Sequence, residues 1–185
     1  MVISYLYKNE IVINKALTRA MGVFTFILLL SLGAYIRLPL PFTPVPITLQ
    51  TFFVLLCGAL MGRKYAPIAT FSYLVLGVLG LPIFQGYGRG MLHIFGPTGG
   101  YLIGFVAASF VIGYLIDLKR DEQNLWWIIF SMAAGKAIIY SFGIIWLSLS
   151  MHIGLTKAVY LGFVPFIPGA IFKLLSASLI YSKIS

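Results

Sequence analysis

The sequence predicts an all-α integral membrane protein, with six transmembrane helices in one bundle and both termini cytoplasmic. Three observations carry this. Of 185 residues, 61% are hydrophobic and 9% are charged, with a mean hydropathy of +1.02. A water-soluble domain cannot hide that much apolar surface, so lipid is the solvent. The apolar residues fall into runs of about the 20 residues that a bilayer crossing requires. Finally, the cations are distributed unevenly between the connections on the two sides of those runs.

The chain reads as a single membrane domain, 1–185, with an amino-terminal cytoplasmic segment 1–15 and a bundle over 16–185. Ala16–Ile36 is the first span. A basic start before an apolar run also resembles a signal peptide, but the run is long and no small-residue cleavage site precedes Arg37, so an uncleaved helix is expected. Arg37–Pro46 reads RLPLPFTPVP, a proline-dense and therefore stiff, extended connection. Pro46–Gly62 is the second span, closed by Arg63 and Lys64, and Ala66–Pro82 is the third.

Leu81–Tyr101, LPIFQGYGRGMLHIFGPTGGY, holds Gly86, Gly88, Gly90, Gly96, Gly99 and Gly100 around Arg89. Glycine lets another group approach the backbone closely. Two readings stand: a surface loop, or a loop folded into the mouth of the bundle, where irregular backbone is tolerated because it lines a cavity. Pro97–Asp117 is the fourth span, closed by Lys119 and Arg120. Leu125–Leu149 is the fifth, opening on Trp126 and Trp127 at the interface level. Pro165 and Pro168 interrupt the last run, so a half-helix to about Val164 is expected, then a sixth span from Pro168 with Lys173 in its second turn.

With both termini inside, the inner side collects Lys8, Lys15, Arg19, Arg63, Lys64, Lys119, Arg120 and Lys183, and the outer side only Arg37, Arg89 and Lys157. The net charge of +9 is scattered between apolar runs, which fits orientation and lipid-headgroup contact and not a nucleic-acid partner. The acids Glu10, Asp117, Asp121 and Glu122 all fall on the inner side. The spans therefore lack the carboxylate relay of many proton-coupled transporters.

Several chemistries are excluded. Gly135 and Lys136 lack both the upstream glycine (Phe130 stands there) and the following Ser/Thr (Ala137) of a phosphate-binding loop, so no ATP hydrolysis is expected. His93 and His152 lie far apart in external segments, with no zinc-helix pattern, and neither metal nor cofactor is expected. No nucleophile–base set supports a membrane hydrolase. The lone Cys57 cannot form an internal disulfide and reads as a small buried hydrophobe.

The outer half is thus basic with nothing to neutralise it. Arg89 sits in the glycine loop and Lys173 near the start of a helix, where backbone amides add positive potential. Either both cations snorkel to water or lipid phosphate, or an anionic ligand relieves the cost of burying them. Phe42, Phe84, Tyr87, Phe95 and Phe166 would suit a ligand with an apolar body.

Pro41–Gly62 (PFTPVPITLQTFFVLLCGALMG), Gly80–Phe105 and Pro165–Lys173 (PFIPGAIFK) resemble the BioY family, the biotin-binding S components of energy-coupling-factor (ECF) transporters. The resemblance runs from about Ala16 to Lys173. It implies an outward-facing biotin pocket covered by the first connection, with the loop arginine at Arg89 and the closing-motif lysine at Lys173. It also implies docking, through small residues at Ala16 and Ala20 of the first helix, to a transmembrane coupling subunit bound to two ATPase subunits. Gly58/Gly62 and Gly100/Gly104 share that spacing and are expected to pack inside the bundle.

One departure concerns the closing motif, in which the family's Pro-Gly is followed by Asp and this chain has Ala170. Gln50, Gln85 or water would then supply the missing acceptor, or the ligand is held more weakly, or it differs from biotin. Tyr101, which ends the GPTGGY block, completes the candidate set. The implied function is biotin capture and transport without covalent chemistry. The alternatives are a solitary biotin facilitator, an S component for another small carboxylate vitamin, a lipid-modifying membrane enzyme, and a structural subunit without a ligand.

Overall fold

A computed structural model describes residues 15–119 and 124–184. The segment with Lys8 and Glu10, and the trio Arg120, Asp121 and Glu122, lie outside the described residues. In chain order the elements are α1 (Lys15–Tyr35), β1 (Arg37–Leu38), β2 (Ile47–Thr48), α2 (Gln50–Val78), α3 (Met91–Phe95), α4 (Gly99–Leu118), α5 (Leu125–Ser150), α6 (Leu155–Gly162) and α7 (Ile167–Ile184). The helices α1, α2, α4 and α5 and the run Leu155–Ile184 are each long and apolar enough to cross a membrane.

The sequence expects two spans where the structure has α2. The helix is broken at one residue, Gly62, whose φ of 68° and ψ of 178° are not helical. A side chain would be strained there. The two limbs fold back side by side. Gln50 Nε2 donates to the Tyr73 hydroxyl at 2.8 Å, and Cys57 Sγ lies 3.8 Å from the Ala66 carbonyl. In a straight helix Gln50 and Tyr73 would stand about 35 Å apart. Asp117 holds the bend: its Oδ2 accepts the Arg63 backbone N–H at 3.1 Å. That carboxylate satisfies an amide that the broken helix leaves open.

Helices in lipid gain little from hydrophobic burial and associate by close packing. The glycines supply it. A Cβ on Gly58 would strike Ile112, one on Gly113 the Gly62–Arg63 backbone, and one on Gly100 both Trp146 and the Phe142 carbonyl. Gly104 faces the Ile139 backbone. Both glycine pairs with small-residue spacing are thus internal contacts of α4. Thr70 and Ser109 join α2 to α4 through a 3.0 Å hydroxyl contact.

The connections 37–48 and 79–98 gather at one end of the bundle. The stiff, extended connection expected over Arg37–Pro46 folds as part of a hairpin strap. Arg37 pairs with Thr48 and Leu38 with Ile47, antiparallel. Proline donates no N–H, so the prolines between them keep the ladder to two residues a strand. Thr43 Oγ1 donates to the Leu161 carbonyl at 2.8 Å and pins the strap to α6.

The glycine loop is more ordered than the irregular segment expected. Gln85–Tyr87 is a 3-10 turn, the Phe84 N–H donates to Gly88, and Phe84 is fully buried between Tyr73 and His93. The expected break in the last run is present: α6, a 3-10 turn at Val164–Phe166, then α7. The turn feeds directly into α7, so that helix has no open amino terminus.

Candidate ligand-binding site

A narrow cavity lies at the loop end, under the strap. Val45 to Thr48 form its roof, Gln50 and Thr51 the start of α2, and Gln85 and Thr98 the glycine-loop side. Tyr101, Leu102 and Phe105 of α4, Tyr140 of α5, Phe166 and Lys173 close it. Four of the candidate residues, Gln50, Gln85, Tyr101 and Lys173, are therefore brought together.

Lys173, Gln50, Gln85 and Tyr101 are each held by a neighbour. Lys173 Nζ donates to the Thr48 carbonyl at 2.6 Å. Gln50 is 2% exposed; its Nε2 donates to Tyr73, and its Oε1 accepts from Thr48 Oγ1 at 3.2 Å. Tyr73 in turn donates to the Ile83 carbonyl at 2.9 Å, so the amide is oriented by a chain running into the glycine loop. Gln85 Nε2 donates to Thr98 Oγ1 at 2.8 Å. The Tyr101 hydroxyl donates to the Gly162 carbonyl at 2.8 Å, and its ring occupies the space that a side chain on Gly143 would fill.

Arg89 is not among the lining residues. It is exposed, and its neighbours turn it outward: Gly88 bridges to Phe84, and the Gly90 N–H donates to the Gly77 carbonyl at 2.7 Å. In water its charge needs no partner. Of the proposed apolar walls only Phe166 lines the cavity. Phe42, Tyr87 and Phe95 are exposed, and Phe84 is locked in the loop core. The residues that sequence reasoning missed are Thr48, Thr98, Phe105 and Tyr140. Thr98 stood inside the quoted GPTGGY block. Phe105 and Tyr140 sit in uniformly apolar runs that carry no positional signal.

The free volume is about 50 Å³, room for a few waters and well under the several hundred Å³ of small-molecule sites. Admitting a ligand therefore requires the walls to part. The strap is a wall made of a connection and not of a helix, and it is tied down through Lys173 to α7 and through Thr43 to α6. The electrostatics favour an anion. Among the described residues the one acid is Asp117, engaged with Arg63 at the opposite end of the bundle. Lys173 has a neutral carbonyl for its partner, and an incoming carboxylate forms the stronger, charge-assisted bond.

Next to the cavity, His93 stacks on Phe84 with ring centroids 5.0 Å apart. Its buried Nε2 has no hydrogen-bond partner among the described residues, and burial pushes its pKa below the ordinary imidazole value. On the other end of the molecule, Ala16 and Ala20 are exposed on α1. They line a groove of about 460 Å³ with Val23, Phe24, Ile27, Tyr65 and Ile68. Arg19 closes it, donating to the Tyr65 hydroxyl at 3.0 Å.

The comparisons with known proteins agree with this geometry. Residues 8–185 match the model of the BioY family. A protein of Thermotoga maritima named biotin transporter BioY is 43% identical over 159 residues, covering 86% of this chain and 89% of that protein. A Rhizobium etli protein of the same name is 36% identical, covering 83% and 84%. Among solved structures, the S-component for biotin from an ECF-type ABC transporter superposes with a TM-score of 0.86 at 28% identity, covering 92% of each chain. Those relatives are named as transporters and not as enzymes. With a family match over nearly its full length and several helices able to cross a membrane, this multi-pass membrane protein belongs to the BioY family.

Proposed function

We propose that this chain captures biotin from outside the cell at the cavity beneath the strap and carries it across the membrane, without chemical change to the ligand. The observation that carries this is the convergence of Lys173, Gln50, Gln85 and Tyr101 on one cavity, in a chain whose relatives are named biotin transporters. The carboxylate of biotin takes Lys173 from the Thr48 carbonyl and frees the strap. The ureido ring, with two N–H donors and one carbonyl, meets Gln50, Gln85 and Thr98. The thioether ring lies against Phe105, Leu102 and Phe166. The strap then re-closes over the ligand.

Counting the two limbs of α2 separately, and Leu155–Ile184 as one crossing, gives six spans and puts both termini on one side. The cation asymmetry makes that side cytoplasmic. The chain forms one domain. It contains no nucleotide-binding loop, so energy comes from an ECF module: a transmembrane coupling subunit docking on the Ala16/Ala20 face, and two ATPase subunits. Membrane lipid covers the remaining apolar surface. A second reading, an S component for another small carboxylate vitamin, is favoured by one observation, the neutral Ala170 of the closing motif. Thermal unfolding of the purified protein in detergent distinguishes them. Biotin should raise the midpoint at micromolar concentration. Stabilisation by a different carboxylate vitamin and not by biotin supports the second reading.

A further inference from the structure

Lys136 lies about 17 Å along α5 from its start and is only 6% exposed. Its ammonium donates to the backbone carbonyl of Ala170 on α7, its one acceptor among the described residues. An ammonium has three donors, and a helical carbonyl is a poor counterpart for a buried charge. Lys173 stands one turn along α7 from Ala170 and lines the cavity together with Tyr140. Two lysines thus approach the contact between α5 and α7, one on each side of it, with no described acid at that depth. Like charges in a low-dielectric setting repel strongly, and a single anion between them relieves both.

The seam also has the room that the cavity lacks. Tyr140, one turn from Lys136 on the same face of α5, lines the cavity on the Lys173 side. It also lines a groove of about 480 Å³ on the Lys136 side, whose other walls include Ile144, Phe163, Ala170 and Leu174. Tyr140 is therefore a partition, with one lysine on each side. The cavity alone, at about 50 Å³, cannot hold a ligand of vitamin size.

We propose that Lys136 is a second cation of the ligand site. The ligand's carboxylate reaches past Tyr140 to the level of Ala170 and is held there between Lys136 and Lys173. This rests on the reading of the cavity as a biotin site and assigns the carboxylate partner that the exposed Arg89 does not supply from within it. The neutral side chain at position 170 is part of the arrangement, since an acid there would occupy Lys136.

Competition against radiolabelled biotin, with biotin and biotin amide as competitors, tests this in wild type, Lys136→Met, Lys136→Arg and Ala170→Asp. In Lys136→Met, biotin should lose roughly tenfold or more in affinity, the scale of one hydrogen bond to a charged group. The amide should change by less than about twofold, so the ratio of the two affinities shrinks. Lys136→Arg should retain most of the ratio, and Ala170→Asp should reduce it. If Lys136 merely clamps α5 to α7, Lys136→Met weakens biotin and amide equally, and the assignment is wrong. Should Lys136→Met fail to fold, an unchanged ratio in Ala170→Asp overturns it equally. Wild-type protein that binds no biotin removes the biotin reading and this inference together. Wild-type binding with an unaltered ratio in the variants removes this inference alone.

Discussion

The ammonium of Lys173 donates to the carbonyl of Thr48 at 2.6 Å, joining α7 to the end of the strap across 125 residues of chain. The same nitrogen lines the cavity beneath, so the lysine that fits an anion is also the latch on the cover. Ligand binding and strap opening then compete for one donor. Lys173→Met should weaken biotin binding roughly tenfold to a hundredfold, the cost of a lost charge-assisted bond. It should also speed amide hydrogen exchange at Ile47 and Thr48. Unchanged affinity together with unchanged exchange would remove Lys173 from both roles.

His93 makes the glycine loop sensitive to acid. Its imidazole is held neutral by burial against Phe84, with its pKa pushed below the ordinary value near 6.5. The unfolded chain therefore binds a proton that the folded loop resists. The stability contributed by the neutral ring is present above about pH 6.5 and is lost as pH falls through the lowered folded value. Between pH 7.5 and 5.5 the unfolding temperature should drop more in wild type than in His93→Phe, which keeps the ring stack. Equal drops would show that His93 is not the titrating group.

Arg89 is exposed at the loop end, so topology can be read there directly. In a Cys57→Ser background, Arg89→Cys should react with a membrane-impermeant thiol reagent on intact cells. Labelling only after permeabilisation would invert the bundle. Arg89→Ala should cost less biotin affinity than Lys173→Met, because a water-exposed contact is worth less than a partly buried one.

The groove beside Ala16 and Ala20 lies along α1 and shares no residue with the cavity, so the proposed docking can be tested apart from binding. Replacing both alanines with leucine should leave biotin binding intact and abolish co-purification with the coupling subunit and its ATPases. Retained co-purification would move the docking surface elsewhere.

Composition and run length made the helices legible, and proline made the break before α7 legible, because both act through local chemistry. The sequence divides α2 into two spans at Arg63 and Lys64, but it does not show that a single residue, Gly62, makes the bend or that the Asp117 carboxylate from α4 holds it. That partner is 54 residues away from Arg63, beyond any local pattern. The strap was read as extended because proline spacing reports backbone stiffness and not pairing. Gln50, Gln85, Tyr101 and Lys173, which share one cavity, are conspicuous in the sequence because polar residues stand out in an apolar chain. Tyr140 and Phe105 were missed because an aromatic side chain in an apolar run looks the same whether it faces lipid or ligand. The outward aim of Arg89 is not legible in the sequence, because it depends on the Gly88–Phe84 and Gly90–Gly77 backbone contacts.

An anion site for biotin built on Lys173 can be read from equilibrium binding of radiolabelled biotin to the purified protein, with biotin amide as competitor. Saturable binding of one biotin per chain, with weaker competition by the amide, is expected. No saturable binding, or an amide that competes as well as biotin itself, would contradict it.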